Sequence, residues 1–136
     1  MNRVRQPAIL LICAALWLEV AATRGHAQTG QTRQVMREKL ELSEILLGGL
    51  VTSNWASLHK TTGSLIDVIN RPGWQVLQAP EYVRQTSAFL KATQALLEAA
   101  DARDQRTALT AYNGLVASCV ECHRFVARSR VAGRRP

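Results

Sequence analysis

Residues that interrupt an α-helix are gathered at a few short places between residues 32 and 129 of this chain. Between those places, apolar residues recur every three or four positions, which is the spacing of amphipathic helices. The sequence has no alternating apolar and polar stretch long enough to predict a β-strand, and it has no internal repeat. The pattern therefore predicts an all-α chain whose helices are joined by short loops.

Each of four predicted helices begins or ends at a capping or turn signal. We expect helices at about 32–52, from about residue 54 to the turn at 70–73, from Pro80 to about residue 100, and from about residue 105 to 129. Because short loops make successive helices neighbours, the prediction is an antiparallel four-helix bundle with up-down-up-down topology. The buried face of the first helix is expected to contain Met36, Leu40, Ser43, Leu47, Leu50 and Val51.

The fourth predicted helix contains the run Cys119-Val120-Glu121-Cys122-His123 near its C-terminal end. This C-x-x-C-H spacing is the pattern that attaches a c-type haem. Two thiols three residues apart can each form a thioether to one vinyl group of the same porphyrin, and the adjacent histidine can supply the proximal nitrogen ligand of the iron. The motif makes Cys119 and Cys122 candidates for covalent haem attachment and His123 a candidate iron ligand.

Two other interpretations of the cysteine pair stay open at this point. A C-x-x-C pair can be a redox dithiol, although that interpretation requires a βαβ context that the helical pattern does not provide. The pair can also be half of a zinc site, which needs two further ligands. Beyond residue 27, the other sulfur or imidazole side chains outside the motif are Met36 and His59.

Residues 1–27 have the features of a secretory signal peptide. Two arginines come first, an apolar run over 8–18 follows, and Gly25-His26-Ala27 is a cleavage site of the small-x-small type. The apolar run is too short to span a bilayer. We therefore expect export, cleavage after Ala27, a single domain over 28–136, and no stable membrane anchor after cleavage.

The positive charge of the chain is concentrated at its C-terminus. The formal net charge is +7, and Arg128, Arg130, Arg134 and Arg135 lie in the tail. Such a tail can dock an acidic partner or an anionic surface, or it can be a solvated helix end, where cations favour the negative end of the helix dipole. Because no other basic face is evident in an exported chain, we expect no nucleic-acid partner.

The predicted topology places Met36 and His123 at the same end of the bundle. Met36 lies a few residues into the first helix, and His123 lies a similar distance from the end of the fourth, so at about 1.5 Å per residue both fall within a turn or two of that end. Met36 is the only methionine after residue 27 and is therefore the only thioether available as a sixth iron ligand. Met36 could instead line the pocket and leave the iron five-coordinate. His59, a rival ligand, is expected on the surface at the opposite end.

Over nearly the whole mature length, the chain resembles the class II c-type cytochromes, the cytochrome c′ family with its methionine-ligated low-spin relatives. The resemblance rests on the C-terminal haem motif, on the first-helix run from Arg33 to Leu40, on the segment Trp74 to Phe89, and on the four-helix pattern. It implies one haem c held by Cys119 and Cys122, with His123 as the proximal iron ligand and Met36 as the distal one. It also assigns Arg33 to a haem-propionate contact, although Arg33 lies three residues before Met36 where four is the commoner spacing.

The resemblance implies an electron carrier of the bacterial periplasm that exchanges electrons with a partner protein. Because related bundles often dimerise, a homodimer could form. One alternative is a five-coordinate cytochrome c′-like protein that binds nitric oxide or carbon monoxide, and a second is an exported helical module without haem. The sequence contains no nucleophile–base pair and no acid cluster placed for catalysis, so we do not expect an enzyme.

Overall fold

The computed structural model describes residues 30–75, 77 and 79–132, with side chains as far as Ser129. Within these ranges the chain forms four α-helices and no β-strand: α1 (30–51), α2 (Trp55–Asp67), α3 (Pro80–Asp101) and α4 (Gln105–Ala132). A short 3₁₀ helix (Val68–Asn70) follows α2 directly. The predicted all-α class is confirmed for this part of the chain.

Some of the sequence predictions fall on residues outside that part. The signal peptide predicted at 1–27 lies outside the described residues, as do the tail residues Arg134 and Arg135. Arg130 belongs to α4, but its side chain is not among those described. None of the described helices is both long and apolar enough to cross a membrane.

Capping side chains explain where the later helices begin. Asn54 caps α2, since its side-chain oxygen accepts a hydrogen bond from the Ser57 amide at 3.1 Å. Asp104 acts similarly before α4, where its Oδ1 accepts from the Thr107 amide at 3.1 Å. Pro80 occupies the first turn of α3, where a backbone N–H would have no acceptor within the helix, so the missing N–H of proline costs no hydrogen bond. The predicted starts of α2, α3 and α4 are therefore confirmed.

One apolar core receives side chains from all four helices. Burying a leucine or phenylalanine side chain stabilises a fold by roughly 1.5–3 kcal/mol, so a small set of such residues contributes much of the packing energy. The buried hydroxyl of Thr93 donates to the Phe89 carbonyl at 2.8 Å, so it does not carry the energetic cost of an unsatisfied buried polar group. The large core side chains are Leu46, Leu58, Leu65, Phe89, Leu96 and Leu115.

The predicted buried face of α1 is confirmed at Leu50 and wrong at Leu40, Leu47 and Val51. Leu40 and Leu47 are about half exposed, at 59% and 48%, and Val51 is 78% exposed. The helix carries two adjacent apolar stripes. The buried stripe contains Lys39, and because this charged residue interrupts it, the neighbouring stripe was predicted to face the core. The other buried side chains of α1 are Val35, Lys39 and Leu46.

The loop before α3 packs closely against the start of α1. Gly73 has φ +105°, and a Cβ at this position would lie 2.7 Å from the carbonyl carbon of Gln31, so the turn requires glycine. The next residue, Trp74, is 4% exposed, and its ring lies 5.2 Å from that of Phe89 at an angle of 40°. The loop thus places an indole ring beside both α1 and α3, next to the candidate site.

Candidate cofactor-binding cleft

A cleft between α1 and α4 contains the predicted motif. It consists of two cavities of about 290 Å³ and 260 Å³, and Met36, Lys39 and His123 line both of them. Cys122 lines the first, which we call the Cys122 cavity, and Cys119 lines the second, the Cys119 cavity. Because three residues are shared, the two cavities lie on either side of a common centre formed by Met36, Lys39 and His123.

The two cysteines are placed one helical turn apart, so that each thiol faces a different cavity. Positions three apart on a helix lie on neighbouring parts of one face. Cys119 and Cys122 are both half-buried and both free. Burial raises the pKa of the Cys122 thiol above its ordinary value, the Lys39 ammonium opposes this shift, and Cys119 adds to it. At neutral pH Cys122 is therefore a protonated thiol.

The sequence-predicted iron ligands lie at the centre of the cleft. His123 is exposed and borders both cavities, and so does the half-buried Met36 of α1. Four of the five predicted site residues thus line one cleft, contributed by two helices. Arg33 is exposed and lines neither of the two cavities.

His59, the rival ligand, lies elsewhere. Its Nδ1 is 2.5 Å from Oδ1 of Asp101, the last residue of α3, and both side chains are more than half exposed. Asp101 lies just before the start of α4, whereas His123 lies 18 positions into that helix, a rise of roughly 27 Å. His59 therefore pairs with a carboxylate at the far end of the molecule.

Lys39 is the residue that sequence reasoning missed. It lies one turn after Met36 and is only 7% exposed, and its Nζ is 4.1 Å from the centre of the Phe89 ring and 5.0 Å from that of Trp74. Among the ion pairs of the described residues, none includes Lys39. Lysine is rarely buried, so the residue type alone gave no reason to place Lys39 in the cleft. The signal for its burial in the sequence was its helical spacing from Val35 and Leu46, which lie on the same face of α1 and are buried.

Hydrogen bonds fix the walls of the cleft. The Tyr112 hydroxyl of α4 donates to the Ser43 carbonyl of α1 at 3.1 Å and so joins the two helices beside the Cys119 cavity. At the Cys122 cavity, the Tyr82 hydroxyl donates to the Trp74 carbonyl, and the Trp74 indole donates to Thr86 Oγ1 at 3.3 Å. The aromatic side chains on both sides are therefore held in defined positions.

Within the described part of the chain, no group of three or more histidine, cysteine, aspartate or glutamate side chains is placed to hold a metal ion. The thiol pair therefore lacks, among those residues, the additional partners that a tetrahedral zinc site requires.

The chain matches no protein-family model, no curated protein and no solved structure.

Proposed function

We propose that this chain is an exported c-type cytochrome that carries one haem c and transfers electrons. Cys119 and Cys122 hold the haem covalently, His123 is the proximal iron ligand and Met36 is the distal ligand. The observation that carries the proposal is the placement of all four side chains on one cleft, with a thiol at each cavity and with His123 and Met36 shared between the cavities.

The residues of the cleft fit a haem group in size and chemistry. The two cavities together are within the range typical of cofactor sites, and most of their lining is apolar. Attachment requires each thiol to add its S–H across a vinyl double bond, the sulfur to one carbon and the hydrogen to the other. Both cysteines are free, and no oxidant is consumed in this addition. The cleft therefore supplies both thiols in the reduced state that this addition requires.

An antiparallel arrangement of α1 and α4 belongs to this proposal and is supported by contacts at both ends. Gln105, at the start of α4, donates from its side-chain amide to the carbonyl of Leu50, near the end of α1, at 2.7 Å. At the other end, Thr32 of α1 and Val126 of α4 line the same cavity. This arrangement lets one helix supply the covalent attachment while the other faces the opposite side of the iron.

The haem supplies one-electron chemistry, and the protein sets its potential. A methionine and a histidine as axial ligands raise the reduction potential, and burial of the macrocycle tunes it further. Tyr112, Trp74 and Tyr82 are held by hydrogen bonds, so the walls need not rearrange when the charge of the iron changes. A rigid, low-spin site suits an electron carrier.

Export to the periplasm, with cleavage after Ala27, is also part of the proposal. The signal-peptide features of residues 1–27 support it. Export also agrees with the proposed haem, because c-type haem attachment in bacteria takes place outside the cytoplasm. An acidic redox partner would match the arginine-rich end of α4, where Arg128 is exposed.

Expression together with a haem-attachment system tests the proposal. The wild-type protein should retain a peroxidase-active stain on a denaturing gel, since thioether bonds survive denaturation. The Cys119→Ser/Cys122→Ser variant is the matched control and should lose the stain. A wild-type protein that folds and is exported but carries no stain would leave the helical module without haem as the better interpretation.

A further inference from the structure

Lys39 occupies the centre of the cleft. It is one of the three residues that border both cavities, and the other two are the proposed iron ligands Met36 and His123. A haem attached at Cys119 and Cys122 and bound through His123 would therefore have the Lys39 side chain near its iron, on the side that α1 provides.

The ammonium group of Lys39 has aromatic contacts in place of an ionic partner. Phe89 and Trp74 present their rings at 4.1 Å and 5.0 Å from Nζ, an arrangement in which the electron-rich ring faces attract the cation. Lys39 lines both cavities, and its Nζ has no hydrogen-bond partner among the described residues and is not fully buried. A nearly buried cation that has no carboxylate partner and faces a cavity is suited to receive an anion.

We propose that Lys39 is an anion-recognition residue of the distal side, which favours small anionic ligands at the sixth iron position when Met36 does not occupy it. The inference rests on the proposed function, because it requires a haem in the cleft. The ammonium donates a hydrogen bond to the anion, and its charge adds a Coulomb attraction that a neutral ligand does not receive. The aromatic contacts hold the ammonium in place without neutralising it.

The test compares an anionic and a neutral ligand in the ferric holoprotein. Met36→Ala opens the sixth position, and azide and imidazole are then titrated optically with and without Lys39→Met. A charge-assisted hydrogen bond predicts that azide affinity falls by about tenfold to a hundredfold while imidazole affinity changes little. Lys60→Met is the control, because it removes the same charge from an exposed position on α2.

Two further variants address folding. Lys39→Arg keeps the charge and should retain most of the azide preference, and Lys39→Gln keeps a polar side chain without charge and should lose it. If Lys39→Met does not bind haem, the azide affinities of Lys39→Arg and Lys39→Gln test the inference in its place.

Several results would overturn the inference. One is an equal loss of azide and imidazole affinity, which would mean that Lys39 only supports the structure. Another is a low-spin spectrum of Met36→Ala that disappears when Lys39 is also replaced, which would mean that the amine itself ligates the iron. If the wild-type protein carries no covalent haem, the proposed function fails first, and that outcome is visible before any ligand is added.

Discussion

The hydroxyl of Tyr112 on α4 donates a hydrogen bond to the carbonyl oxygen of Ser43 on α1, at 3.1 Å. The bond crosses between the two helices that form the cleft, and both residues line the Cys119 cavity. It therefore connects α1 and α4 beside the Cys119 cavity, which is part of the proposed haem site.

Replacing Tyr112 by phenylalanine should weaken this connection. We expect Tyr112→Phe to lower the free energy of unfolding by about 0.5–1.5 kcal/mol, the usual net contribution of one hydrogen bond. Urea unfolding followed by circular dichroism measures this loss. Thr110→Val is the control, because the Thr110 hydroxyl bonds only to the Arg106 carbonyl within α4. A larger loss in the control would contradict the role given to Tyr112.

Tyr112 should also make stability depend on alkaline pH. Burial raises the pKa of its phenol above the ordinary value of 10.0, and the negative charges of Cys119 and Glu44 add to the shift. A raised pKa in the folded state means that the contribution to stability is complete below about pH 10 and is lost as pH rises through the folded pKa. Burial, the largest cause, persists when Cys119 carries a thioether.

The measurement is the difference in stability between wild type and Tyr112→Phe from about pH 8.5 to about pH 11.5. The advantage of the wild type should shrink as pH rises through this range. A difference that is constant with pH would show that the phenol does not titrate differently in the folded protein.

Gly73 should not tolerate alanine. Its φ of +105° is unfavourable for any residue with a Cβ, and the added carbon would lie 2.7 Å from Gln31 and 2.8 Å from Thr32 of α1. We expect Gly73→Ala to destabilise the protein by about 1–3 kcal/mol. Thermal unfolding measures the effect.

Gly63 provides the matched control for Gly73. It lies within α2, and a Cβ there would meet nothing within 4 Å. Gly63→Ala should therefore stabilise the protein by up to about 1 kcal/mol, because alanine is the better helix former. Similar losses in both variants would contradict the close approach of the Gly73 loop to α1.

His59 should not contribute to the haem site. Because it pairs with Asp101 at the far end of the molecule, His59→Gln should leave the optical spectrum of the holoprotein unchanged in both redox states. His123→Gln, in the same preparation, should change the spectrum by removing the proximal ligand. A change of spin state in His59→Gln would show that the wrong histidine has been assigned.

The helices and the motif could be read from the sequence because their signals are local. Asn54, Pro80 and Asp104 act within a few residues of their own position, so the starts of α2, α3 and α4 were predictable. The spacing of Cys119 and Cys122 likewise needs only one helical turn to place both thiols on one cleft.

The interior of the cleft could not be read in this way, because it depends on contacts between distant segments. The burial of Lys39 depends on Trp74 and Phe89, which come from the loop and from α3. Without knowledge of those rings, a lysine in α1 indicates solvent exposure, and the predicted buried face contained Leu40 and Leu47 where Lys39 and Leu46 are buried. The resemblance assigned a propionate contact to Arg33, which lines neither cavity, whereas Lys39 lines both.

Optical spectra of the purified protein in both redox states, for wild type and Met36→Ala, test most directly the proposal that Met36 of α1 and His123 of α4 both bind the iron of a covalent haem. We predict a covalently bound, low-spin haem in the wild type with a sulfur-to-iron charge-transfer band in the ferric state, and loss of that band in Met36→Ala. A high-spin ferric spectrum that is the same in both proteins would contradict ligation by Met36 and favour the five-coordinate, gas-binding alternative.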